Sequence, residues 1–168
     1  MRKLLLSVLA LTVVFVAKAQ TDEHTLVKVG DQVPEFKVKM FDGSEIDIKD
    51  LKGKTVLINF WATWCPYCVK ELDIAQKEII DRFKDKNFVF LPISREDPID
   101  KIEQFRKDKG HTFAMGTDFK REIYSKFAVQ TIPRNFLIDE TGKIVYIETG
   151  YSDEVLPKLI AAIEKQVK

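Results

Sequence analysis

The 168-residue chain has only two cysteines, Cys65 and Cys68, and two histidines, His24 and His111. That scarcity excludes a disulfide framework and leaves little for a metal site. Zinc takes four ligands as a rule, and His24 stands in a polar lead-in far from the cysteines. The chain also lacks internal repeats, low-complexity tracts and long linkers. It has no excess of one charge: 27 Lys and Arg stand against 26 Asp and Glu. A near-neutral surface carries no electrostatic footprint for nucleic acid or anionic lipid, so the charges read as a solvated surface. Apolar and charged fractions of 45% and 32% are those of an ordinary soluble protein, and the length suits one domain.

The first nineteen residues stand apart. Arg2 and Lys3 precede a nearly unbroken apolar run, Leu4 to Ala17, and Ala17-Lys18-Ala19 gives small residues ahead of Gln20. That is the layout of a cleavable secretory signal. A membrane anchor is the alternative, but a span needs about 20 apolar residues, and this run is shorter and ends at Lys18. A lipoprotein would need a cysteine at the cleavage site, and none is there. Removing the three bases Arg2, Lys3 and Lys18 from 27 leaves 24 against 26 acids, a net charge of −2. The expected organisation is a signal over 1–19, a polar lead-in over 20–29 and one domain over 30–168.

Within that domain the apolar period alternates between two values. Phe36 to Met40 and Glu45 to Ile48 read as strands about an Asp42-Gly43 turn. Thr55 to Trp61 and Asn87 to Ile93 read as strands buried on both faces. Leu72, Ala75, Ile79 and Phe83 recur at helical spacing, as do Ile99, Ile102 and Phe105 before Gly110. Phe113 to Met115 reads as a short strand, and Ile123, Tyr124 and Phe127 as a short helix. Asn135 to Ile138 and Ile144 to Glu148 form an expected hairpin around Thr141-Gly142. Leu156 to Val167 closes as a helix with Pro157 in its first turn, where proline is tolerated. Such an order predicts an α/β class, with a central mixed β-sheet flanked by helices.

Chemistry concentrates in Trp64-Cys65-Pro66-Tyr67-Cys68, where a buried strand passes into a helix. The free N–H groups and positive potential of a helix start stabilise a thiolate at Cys65. Pro66 suits the first helical position, and Cys68 returns to the same face within reach of Cys65. An ordinary thiol of pKa about 8.5 is about 3% thiolate at pH 7, and one of pKa near 7 is about half ionised. Reduced nucleophilicity returns most of that gain, leaving about threefold for attack, while the low-pKa thiolate departs faster as a leaving group. Such a site suits exchange in both directions. A structural disulfide, half of a metal site and a chance pair are the competing readings. The short loop, the missing ligands and the exported context each favour redox function over them.

FWATWCPYC at Phe60 to Cys68 resembles the active-site segment of the thioredoxin superfamily, and Thr131-Ile132-Pro133 resembles its cis-proline loop. Gly30 to Phe36 and Leu51 to Lys54 resemble the N-terminal portion of the exported TlpA/ResA-type proteins, and about Asp97 to Gly116 resembles their central helix–strand insertion. The resemblance implies a thioredoxin-like fold with an N-terminal β-hairpin. It implies attack by Cys65, resolution by Cys68 and a cis Pro133 that presents the Ile132 backbone to an extended substrate, with Trp64 flanking. Thioredoxin's buried Asp is replaced by Asn59, which is no base; Glu71 matches the Glu that the TlpA/ResA group carries after its second cysteine. Glu71 is thus the expected proton relay for Cys68. The implied protein is a periplasmic protein disulfide reductase without a cofactor beyond the Cys65–Cys68 disulfide and without a stable membrane anchor after cleavage. Its implied partners are a membrane-embedded electron donor and exported thiols, including apocytochromes c. A dedicated oxidant and a non-enzymatic binding module are the alternatives. A peroxidase is another, but its P-x-x-x-T-x-x-C pattern meets Ile58 and Ala62 here.

Overall fold

The computed structural model describes residues 22–167; the expected signal, 1–19, lies outside them. Seven strands form one sheet: β1 (Lys37–Met40), β2 (Glu45–Asp47), β3 (Thr55–Trp61), β4 (Phe88–Arg95), β5 (Gly116–Asp118), β6 (Arg134–Ile138) and β7 (Ile144–Thr149). Their order across the sheet is β2-β1-β5-β4-β3-β6-β7. The pairs β3–β4 and β4–β5 are parallel and the others antiparallel, so the sheet is mixed, as expected. Helices α1 (Pro66–Ala75), α2 (Ile99–Lys109) and α3 (Val155–Glu164) flank it.

β3 is buried at every residue, which its unbroken apolar run foretold. Its side chains alternate between two cores. Val56, Ile58 and Phe60 join Tyr124, Phe127 and Phe136 on one face, where Phe60 lies 5.1 to 6.0 Å from each of the three other rings. Leu57 joins Ala75, Ile79 and Phe83 with Leu159, Ile160 and Ile163 of α3 on the other. A third cluster, Trp61, Ala62, Cys65, Cys68, Leu72, Ile102 and Met115, closes the end of the sheet where the cysteines lie.

Three local expectations shift. The strand expected over Phe113 to Met115 forms at Gly116–Asp118 instead. Only a residue without a side chain fits there, because a Cβ on Gly116 would overlap Val38 and press the Met40 sulfur. The short helix expected around Ile123 to Phe127 is a single 3-10 turn, Tyr124–Lys126. The helical spacing from Leu72 to Phe83 is carried by α1 and a wider π-type turn, Gln76–Asp81, rather than one uniform α-helix. Gly110 ends α2 in the left-handed conformation at φ 69°, as its position foretold. α2 and β5 together form the insertion, and β5 lies between β4 and β1, so it attaches the β1–β2 hairpin to the rest of the sheet.

Candidate active site around Cys65 and Cys68

β3 delivers the chain to Cys65, which is extended at φ −95° and ψ 108° and caps the N-terminus of α1. Its sulfur accepts a hydrogen bond from the Cys68 backbone N–H at 3.2 Å. Cysteine here takes the place that Ser or Asp usually fills, with sulfur satisfying an amide that the helix cannot. Pro66 follows as the first helical residue. Cys65 and Cys68 are joined as a disulfide with Cα atoms 5.3 Å apart. Both are buried, whereas Trp64 and Tyr67 on either side are exposed by 55% and 59%.

The Thr131–Pro133 loop faces this pair. The Ile132–Pro133 peptide is cis, and the Ile132 carbonyl oxygen lies 3.8 Å from the Cys65 sulfur. Thus the structure brings Trp64, Cys65, Cys68, Ile132 and Pro133 to one end of the sheet.

Asp97 fixes the approach to the motif. Its carboxylate accepts from the Thr63 N–H at 2.7 Å, the Thr63 hydroxyl at 2.9 Å, the Ser94 hydroxyl at 2.7 Å and Lys101 at 2.8 Å. Burial raises its pKa, but the bonds from Lys101, Thr63 and Ser94 outweigh burial and hold it below the usual carboxylate range. Arg95, two residues before it, stacks between Trp64 at 5.7 Å and Tyr124 at 4.9 Å, each a cation–π contact.

Glu71 lies on the buried face of α1 and is 1% exposed. It stands three residues past Cys68, so the two share a helix face. Asn59 of β3 and Asn135 of β6 are direct cross-strand partners, and both serve it. Asn59 Nδ2 donates to one carboxyl oxygen at 2.9 Å and Asn135 Nδ2 to the other at 2.7 Å; Asn59 Nδ2 also donates to Asn135 Oδ1 at 2.9 Å. Burial pushes the Glu71 pKa up to about 7, against the two amide donors, and Glu148 adds repulsion from β7. A carboxyl balanced this way gains or loses a proton near neutral pH.

Sequence reasoning found Asn59 only as a missing base, whereas its structural part is to hold Glu71. It missed Asn135 and Asp97. Asn135 carried one signal, a polar residue inside an apolar strand opposite a second such residue.

Comparison with known proteins identifies the family. The Redoxin family model matches residues 28–163. The chain belongs to the Redoxin family. It is 33% identical over 119 residues to the thiol-disulfide oxidoreductase ResA of Bacillus anthracis, covering 71% of this chain and 68% of that one. Over 128 residues it is also 33% identical to ResA of Geobacillus thermodenitrificans, covering 76% and 73%. A candidate protein disulfide isomerase from Bacteroides thetaiotaomicron superposes with a TM-score of 0.80 at 33% identity, covering 85% of this chain and 92% of that one. StoA of Bacillus subtilis superposes at 0.65 with 27% identity, covering 78% and 97%. This redoxin is a thiol–disulfide oxidoreductase of the thioredoxin-like, ResA-related kind, and the resemblance in its motifs is borne out.

The Glu71 environment has a consequence for stability. A folded pKa of about 7 against an ordinary 4.5 means that the folded state holds this proton more tightly. Its contribution is complete below the ordinary value and is lost as pH rises through about 7, a total of about 3 kcal/mol. Between about pH 4 and pH 9 the wild-type oxidised protein therefore loses about 3 kcal/mol relative to Glu71→Gln, read as the difference between their urea-unfolding free energies.

Proposed function

We propose that this redoxin is exported by a cleaved signal over residues 1–19 and acts in the periplasm as a reductase of protein disulfides. The observation that carries the reading is the placement of Cys65: its sulfur caps α1 beside the Ile132 carbonyl. In the reduced protein, the Cys65 thiolate attacks one sulfur of a substrate disulfide. A mixed disulfide forms and the other substrate sulfur leaves as a thiolate. Cys68 passes its proton to Glu71 and attacks the Cys65 sulfur, which frees the reduced substrate and leaves Cys65–Cys68 oxidised. Two electrons from a membrane-embedded donor restore the dithiol. Trp64, Ile132 and Pro133 receive the substrate chain. Relatives named as thiol-disulfide oxidoreductases support the exchange chemistry; the reading extends beyond them to apocytochromes c among the exported substrates and hence to cytochrome c maturation.

A peroxidase reading is disfavoured by the residues ahead of Cys65. Ile58 and Ala62, both fully buried and apolar, stand where peroxide chemistry needs a Pro and a Thr hydroxyl.

The direction of electron flow is tested by the reduction potential of the Cys65–Cys68 couple, equilibrated against defined thiol buffers. A value near that of thioredoxin, about −270 mV, is expected; a value toward about −120 mV makes the protein an oxidant and overturns the direction. For the relay, Glu71→Gln removes the limb near neutral pH from the pH dependence of disulfide reduction. An unchanged profile removes Glu71 from the mechanism.

A further inference from the structure

Arg134 directly follows Pro133, is fully buried, and has no part in the mechanism above. Its guanidinium joins two segments far apart in sequence. On one side Nε donates to the Gln130 and Thr131 carbonyls, both at 3.2 Å. On the other, Nη1 donates to the Thr25 hydroxyl and Nη2 pairs with both oxygens of Asp22, at 2.9 and 3.0 Å. Thr149 holds the same carboxylate at 3.0 Å. The segment from Asp22 to Leu26 then pairs with residues 127–129, just ahead of the loop, through an isolated antiparallel bridge between Thr25 and Ala128. The Leu26 N–H donates to the Phe127 carbonyl at 2.8 Å, and the Val129 N–H donates to the His24 carbonyl at 2.9 Å.

Two physical facts couple this segment to the substrate loop. A fully buried guanidinium is costly unless a carboxylate pairs with it, and Asp22 is that carboxylate. Thr131 is β-branched and sits at φ 76°, a conformation that persists only where its surroundings over-determine it. Its carbonyl accepts from the Tyr124 hydroxyl at 2.6 Å as well as from Arg134, and the next carbonyl, that of Ile132, is the one facing Cys65.

We infer that residues 22–26 are a strap that holds the substrate-receiving loop in register, with Arg134 as the positioning residue through which it acts. The inference rests on the reading that the Ile132–Pro133 loop receives the substrate chain. Coupling of this kind is reciprocal: if the strap tightens substrate binding, bound substrate tightens the strap.

The test uses the full mature chain. Asp22→Asn keeps the shape of the side chain and removes its charge. Its effect is compared on a polypeptide disulfide, which lies along the loop, and on a small aromatic disulfide, which does not. The polypeptide-to-small-disulfide ratio of kcat/KM falls about tenfold, carried by KM, which is the worth of one charge-assisted hydrogen bond. An equal loss on both substrates is the signature of general loosening and overturns the strap. A second measurement needs no change at Asp22. A Cys68→Ser protein is trapped through Cys65 as a mixed disulfide with a cysteine peptide, and hydrogen exchange is followed at the amides of His24, Leu26 and Val129. Their protection rises about fivefold or more on trapping; unchanged protection overturns the inference. Exchange at the Ile132 amide in the same trapped protein reports whether the peptide lies on the loop: no change there means that the substrate reading fails, and protection there with none at His24, Leu26 and Val129 means that the strap fails.

Discussion

A sulfur atom occupying a helix cap is the interaction on which the rest of the structure depends. Cys65 must end an extended strand and begin a helix at once, so that its side chain receives an amide which α1 cannot satisfy internally. β3 brings it there because every residue of that strand is buried between two cores and cannot shift. Asp97 then fixes the last loop residues by gripping Thr63 through both backbone and hydroxyl. Opposing this order, burial of Cys65 disfavours a thiolate, and the Ile132 carbonyl at 3.8 Å does so weakly. The cap and the helix dipole, worth up to about 2 kcal/mol in partly buried geometry, are large enough to lower a thiol pKa by more than one unit.

Behind the sulfur pair the sheet accepts a cost. Glu71, Asn59 and Asn135 are three polar side chains in a region that could have been filled with apolar ones, and Asn59 Oδ1 has no hydrogen-bond partner. An apolar substitute would pack without that penalty. What the polar trio supplies is a carboxyl whose two protonation states are close in free energy near neutral pH, held one helical turn from Cys68. Cross-strand pairing makes the trio rigid, because β3 and β6 set Asn59 opposite Asn135 through the backbone ladder.

Much of this was legible in residue order. The strand-to-helix handover at Cys65 follows from a buried β-branched run meeting Pro66, and both are local signals. Glu71 was legible as a position on a helix face, though not as a buried one, because burial depends on which strands lie beneath. Asn135 and Asp97 were not legible for the same reason. Each acts on a residue far away in sequence, Asn135 on Glu71 and Asp97 on Thr63; a polar residue in an apolar strand marks Asn135 as unusual without saying what it holds. β5 moved from Phe113–Met115 to Gly116–Asp118 because close approach of Val38 and Met40 selects a glycine, and apolar periodicity does not register such a contact. Asp22 and Thr25 looked like a solvated lead-in; their pairing with a buried Arg134 is a tertiary fact.

The most direct measurement is the pKa of the Cys65 thiol in a Cys68→Ser protein, which retains the capping backbone N–H of residue 68. Thiolate absorbance in the ultraviolet, followed against pH, reads it without a substrate. The expected result is a value clearly below about 8.5, displaced toward about 7. A value at or above about 8.5, that of an ordinary free cysteine, would mean that burial outweighs the helix cap and would contradict the account.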